Sequence, residues 1–225
     1  MLIEKKLPVY RTMTEIATAS IKEAILRGDY KPGTRLIPAH MEKELKLGRV
    51  AIREGLRALE GEGLVMTIPN KGAAVANPVT PEEIKEVFEI RFILEAKAVS
   101  LSTSNISLEK PSALEEVNRD LSSYTQDPRK YFLLNRVFHL ELYSASGWKF
   151  LCQIIGQLFD QVMVFRSFYP FRQADINTYL EDHERILAAM CLRNSEAAQR
   201  LLVKHVRAGF ENLMKQYAPL KAQVR

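Results

Sequence analysis

Cysteine is scarce: Cys152 and Cys191 are the only two in 225 residues. Neither has a CxxC partner or a histidine at metal-finger spacing, which excludes a disulfide framework and a zinc ribbon. Both read as small buried hydrophobes. Long apolar runs are missing too. No stretch of about 18 uncharged apolar residues occurs, so no membrane span is expected. The N-terminal MLIEKKLPVYRT lacks the apolar core and small-residue cleavage site of a signal peptide, and a cytoplasmic location is the expectation. With 47% hydrophobic residues the composition is that of a globular chain, long enough for one large or two small domains.

The net charge of +5 is modest, but it is unevenly spread. Residues 1–78 carry 13 Lys and Arg against 9 Asp and Glu, whereas residues 79–225 carry 19 against 18. The first third therefore holds most of the excess positive charge, which favours an anionic partner there.

That first third is broken into short elements. Met13 to Leu26 has a helical pattern, with Ile21, Ala24 and Ile25 on one side, and the turn-rich RGDYKPG follows it. Pro38 to Leu45 and Val50 to Gly61 give two more helices. In the last of these, Ile52, Leu56 and Leu59 form an apolar stripe while Arg49, Arg53 and Arg57 recur at every fourth position on another face. Two short β-like runs around Pro-Asn-Lys-Gly then predict a hairpin. Three helices and a hairpin are the layout of a winged helix-turn-helix, whose later helix enters the major groove.

The strings AILRGDYKPGTRL, MEKELKLGRVAIREGLRALEGEGLV and PNKGAAV resemble the DNA-binding domain of the GntR family of bacterial transcription regulators. The Arg-x-x-x-Arg-Glu core, the Leu-Glu-x-x-Gly-Leu ending and the Asn-x-Gly wing fall in the family's order. The resemblance implies that Arg49, Arg53, Lys71 and Gly72 contact DNA. A guanidinium at Arg49 can take O6 and N7 of guanine together, and Gly72 lets the backbone approach closely. An intrahelical carboxylate partner is the competing role for Arg53. Gly48 stands where the family usually places a Ser or Thr cap, and Pro38 and Ala39 replace polar residues, which points to an altered operator preference.

Asn77 to Glu83 joins this part to a second, with Thr80 and Glu83 spaced as a capping box around Pro81 at the first helical position. Helices are expected over about 82–104, 113–125, 128–144, 149–168, 173–193 and 195–217, with no convincing strand after residue 80. The fold class is thus mainly α: a winged helix-turn-helix over 1–78, then an all-α six-helix bundle over 79–225. Arg91, seven residues after Ile84, falls on a buried stripe, so it needs either Glu95 or a bound anion.

Three of the four histidines lie on apolar faces of this second part. His139 sits with Phe132, Leu142 and Tyr143, His183 with Tyr179 and Ile186, and His205 with Leu201 and Leu202. One such histidine usually reads as a core residue. Three on separate helices, with Asn135 one turn before His139, suggest side chains pooled around a metal.

FEIRFILEAKA, NRVFHLELYSASGW, LEDHERILAAM and AAQRLLVKHV resemble the FCD ligand-binding domain of the FadR branch of the GntR family. The resemblance implies a divalent metal, zinc or nickel, held by Asn135, His139, His183 and His205, with Arg91 and Asn135 contacting a small carboxylate effector. Asn135 stands where the family has aspartate, which removes one negative charge from the metal site. Asp182 is adjacent to His183, yet its helix position points it elsewhere. The expected protein is a homodimeric repressor that binds a pseudo-palindromic operator and is not an enzyme. Two alternatives stand beside it: a metal-free pocket for an acyl ligand, and a metalloenzyme in which Glu184 is the base.

Overall fold

The computed structural model describes residues 12–68, 72–77, 80–107, 110–166 and 173–221. They divide between two units, Met1–Pro78 and Val79–Arg225.

In the first unit, helix α1 (Met13–Arg27) begins where the Thr12 hydroxyl accepts from Glu15 N and the Glu15 carboxylate accepts from Thr12 N, so each group satisfies an orphan donor. Strand β1 (Arg35–Leu36), helix α2 (Pro38–Leu45), helix α3 (Arg49–Gly61) and strands β2 (Val65–Ile68) and β3 (Gly72–Val75) follow. The sheet order is β1-β3-β2, antiparallel throughout, with Leu36 opposite Ala73 and Val65 opposite Val75. The hairpin is present as expected. Strand β1 was not foreseen, because two residues are too few to show a period of two.

Ile52, Leu56 and Leu59 of α3 are buried, as are Ala17 and Ile21 of α1. Gly55 allows α1 and α3 to pack this closely. A Cβ there would lie 3.0 Å from Thr18 N, so any side chain must push the two backbones apart.

The second unit contains six helices among its described residues: α4 (Pro81–Asn105), α5 (Lys110–Ser122), α6 (Pro128–Ser144), α7 (Lys149–Arg166), α8 (Gln173–Cys191) and α9 (Ser195–Lys221). The Thr80–Glu83 capping box closes both of its hydrogen bonds, with Pro81 at the first helical position. Helix α5 begins and ends three residues earlier than its sequence pattern suggested, since the flanking serine and threonine residues carry no sharp stop signal. No strand occurs after Val75 among the described residues.

Helix α4 packs against α6, α7, α8 and α9, while α5 packs against α6 and α8. Phe88, Phe138, Leu142, Ile155, Ile186 and Leu202 fill the space between them. At the turn between α8 and α9, the Arg193 guanidinium donates to the carbonyls of Ser104 and Ile106 and so covers the end of α4. Cys152 is half-buried, but Cys191 is exposed at the end of α8, contrary to its reading as a core residue.

Candidate effector site and candidate DNA-binding helix

On α3 the apolar stripe is buried and the arginine face is exposed. Arg49 donates from Nη2 and Nε to the Glu42 carboxylate of α2, at 2.8 and 3.2 Å. Arg57 pairs with Glu54 at 2.8 Å. Arg53 is exposed, and among the described residues no carboxylate is recorded against it. Gly48 precedes α3 without a side-chain cap, so the first backbone N–H groups of the helix gain no such partner. Gly72 takes φ +84° where β3 begins, a left-handed conformation that a side chain would strain. Lys71 lies outside the described residues.

In the helical unit, His139 of α6, His183 of α8 and His205 of α9 come together. Their ring centroids are 4.7 to 5.2 Å apart, and one ring nitrogen from each lies within 4.8 Å of the others. All three rings are buried, and Phe138 stacks on His183 at 4.0 Å. Burial first, and then the His205 ring, hold both His139 and His183 well below the usual imidazole range. Arg91 adds to the effect at His139, as His139 itself does at His183. Both rings are therefore neutral at pH 7.

For His139 and His183 the surroundings decide which nitrogen carries the proton. Tyr143 donates its only hydroxyl proton to Glu95 Oε2, so the Tyr143 oxygen can only accept from His139 Nδ1, 3.2 Å away. Asn118 donates from Nδ2 to the Leu180 carbonyl, which turns its Oδ1 toward His183 Nδ1 at 2.8 Å. Asp182 Oδ2 lies 3.6 Å from His205 Nδ1, longer than a hydrogen bond, and a carboxylate can only accept. The His205 ring N–H aimed at it is the main cause that holds the Asp182 carboxyl below its ordinary range. His139 and His183 thus protonate Nδ1 and leave their Nε2 lone pairs available, while His205 Nδ1 is buried without a hydrogen bond. The Nε2 atom of His183 is buried without a partner. Three imidazoles that bring one ring nitrogen each within 4.8 Å of the others suit zinc or nickel, borderline ions that favour imidazole nitrogen.

Beside the histidines lies a cavity of about 50 Å³. Arg91, Asn135, His139, Arg166 and His205 contribute to its lining, together with Phe159 and other apolar residues. Arg91 is 5% exposed and donates from Nε to Glu95 Oε1 at 2.6 Å, while its guanidinium lies 4.0 Å from the Phe159 ring centre. Of the two partners foreseen for Arg91, Glu95 is the one present, and the cavity leaves room for the other. Arg166 at the end of α7 is 3% exposed and donates to the carbonyl of Gly209 at 2.6 Å. Burial, ahead of all other causes, lowers it to about 9.

Asp182 corrects the sequence reading. It faces His205 because α8 packs on α9, and spacing along α8 alone cannot show that crossing. Arg166 was missed. Its signal was present, since it lies four residues after Val162 and seven after Phe159, the same stripe logic that singled out Arg91. Glu184 is exposed and turned away from the histidines' buried face.

The FCD domain model matches residues 86–208, and the model of the bacterial regulatory proteins of the gntR family matches residues 14–75. The HTH-type transcriptional regulator YdhC of Bacillus subtilis is 27% identical over 197 residues, covering 86% of this chain and 87% of that protein. The HTH-type transcriptional repressor GlaR of Escherichia coli is 27% identical over 198 residues, covering 83% and 89%. The solved structure of E. coli McbR/YncC shares the fold, with a TM-score of 0.83 at 23% identity over 92% of this chain and all of that one. No described helix is long and apolar enough to cross a membrane. An FCD match over more than half the chain, behind a gntR match over its helix-turn-helix, means that this chain belongs to the DNA-binding transcription regulators of the GntR/FCD type.

Proposed function

We propose that this regulator, of the FadR branch, is an operator-binding repressor controlled by a small carboxylate at a divalent-metal site. In this reading residues 1–78 bind a pseudo-palindromic operator through Arg49, Arg53, Lys71 and Gly72, and residues 79–225 bind the effector and form the homodimer. The repressor sense follows the printed name of GlaR.

One observation carries the metal reading: three buried imidazoles on three helices bring one ring nitrogen each within 4.8 Å of the others, and the Nδ1 atoms of His139 and His183 are taken up by Tyr143 and Asn118, which leaves their Nε2 atoms to a ligand. A bound zinc or nickel ion supplies positive charge and open coordination positions for a carboxylate. Asn135 adds a neutral oxygen to the same cavity, which suits either a weak fourth metal ligand or a hydrogen bond to the effector. Arg91 holds the effector's carboxylate, and Glu95 keeps its guanidinium oriented.

The cavity of about 50 Å³ has room for roughly four waters, far less than an acyl chain fills, which favours a small acid over the acyl alternative. Effector binding favours one arrangement of the DNA-binding parts and so changes operator affinity.

Elemental analysis of protein purified without chelator and supplemented with zinc or nickel tests the site. About one ion per chain is expected, reduced strongly in His183→Ala, whereas less than about 0.2 ion per chain sinks the metal reading. In a gel shift, Arg91→Gln, checked for folding by circular dichroism because Glu95 loses its charged partner, should still bind operator and lose its response to the effector. An unaltered response would remove Arg91 from the site.

A further inference from the structure

Helix α3 carries an exposed hydrocarbon side chain among its arginines. Val50, Arg53, Glu54 and Arg57 fall at i, i+3, i+4 and i+7, so they share the outward face, opposite the buried Ile52, Leu56 and Leu59. Val50 is 76% exposed, whereas Met13 and Met66, the other large apolar side chains recorded as exposed in the first unit, show 54% and 39%. Local structure gives no reason for a valine at this position. Its β-branch lowers helix propensity, and it has no polar atom with which to cap the N–H groups that Gly48 leaves without a side-chain partner. Leaving a valine in water also forgoes the gain of burying it.

We infer that Val50 is a specificity-determining residue that packs on the C5-methyl group of a thymine in the operator's major groove. The inference rests on the operator-binding reading above and names one base that each half-site requires. A helix-turn-helix brings the N-terminal residues of its later helix against base edges, and Val50 is the second residue of α3. In the major groove thymine alone among the four unmodified bases shows a methyl group, so a side chain without donors or acceptors can choose it by apolar contact. A valine in a helix holds nearly one χ1 rotamer, and ordering it against a base therefore costs little entropy. Arg49 stands one residue before Val50 and Arg53 one turn after it, cations that can hold phosphate or guanine while the valine meets the methyl group.

The test starts from duplexes selected out of a random pool by the full-length protein. Each thymine of the selected site is then replaced in turn by deoxyuridine, which removes the methyl group and leaves every hydrogen-bonding atom in place. In fluorescence anisotropy one such replacement should weaken binding about fourfold, the worth of one buried methyl-sized group, and about fifteenfold when made in both half-sites. Val50→Ser should bind the thymine and deoxyuridine duplexes within about twofold of one another, as a double-mutant cycle requires of two groups in contact. Val50→Ala, which keeps a methyl group of its own, should retain part of the preference. Both variants should melt as the unaltered protein does, because Val50 is exposed.

A methyl effect that persists undiminished in Val50→Ser overturns the inference and leaves operator binding standing, because another group then reads the thymine. A selected site in which no thymine is sensitive to deoxyuridine overturns it in the same way. Failure to select any duplex overturns this inference together with the operator reading.

Discussion

Arginine serves opposite purposes in the two units. On α3, Arg49 and Arg57 keep 52% and 75% of their side chains exposed and lean on Glu42 and Glu54. Such pairs contribute about 0–1 kcal/mol, so a phosphate or base edge can replace the carboxylate at little cost. In the helical unit Arg91 and Arg166 are buried and held by fixed partners. An exposed arginine makes an exchangeable contact. A buried one commits the fold, because removing its partner leaves a charge with nowhere to go.

The contrast breaks most directly at Glu95. Glu95→Ala strands both the Arg91 guanidinium and the Tyr143 hydroxyl, and should lower unfolding stability in urea by about 3–5 kcal/mol. A loss below about 1 kcal/mol would mean that the buried arginine is no more committed than the exposed ones. Metal removal comes next. With zinc at about a thousand times its dissociation constant, the ion should add roughly 4 kcal/mol, seen as a lower melting temperature after EDTA treatment and recovery on adding zinc back. His183→Ala should melt at one temperature with or without zinc.

Effects on the exposed face should be smaller. Arg49→Ala should weaken operator binding by about 1–3 kcal/mol, relax base preference and barely alter unfolding. Fluorescence anisotropy against operator and scrambled duplexes checks both parts, and an unchanged titration removes Arg49 from the interface. Smallest of all, Arg57→Ala should shift stability by no more than about 0.5 kcal/mol, since Glu54 remains solvated without it. A larger loss in denaturant would show that the exposed pairs are structural after all.

These differences also explain what could be read from sequence alone. The helices of both units follow from periodicity and from capping signals such as Thr12–Glu15 and Thr80–Glu83, which act over three residues. The three histidines were visible because each interrupts an apolar face of its own helix. Their Nδ1 partners were less legible. Tyr143 is on the same helix as His139, but Asn118 is 65 positions from His183, and Asp182 reaches His205 only across the α8–α9 contact. Arg166 escaped notice because a basic residue in a helix's last turn ordinarily serves the helix dipole. Burial, which sequence spacing only suggests, gives it another role.

The histidine cluster is drawn from across the helical unit. Glu95 and Asn118 come from α4 and α5, His139 and Tyr143 from α6, Asp182 and His183 from α8, and His205 from α9. While the chain is being synthesised, the last histidine emerges only after the other six residues. Under the proposed metal reading, a growing chain could not close its grip on an ion until α9 had joined the bundle, and capture of metal would be a late event in folding.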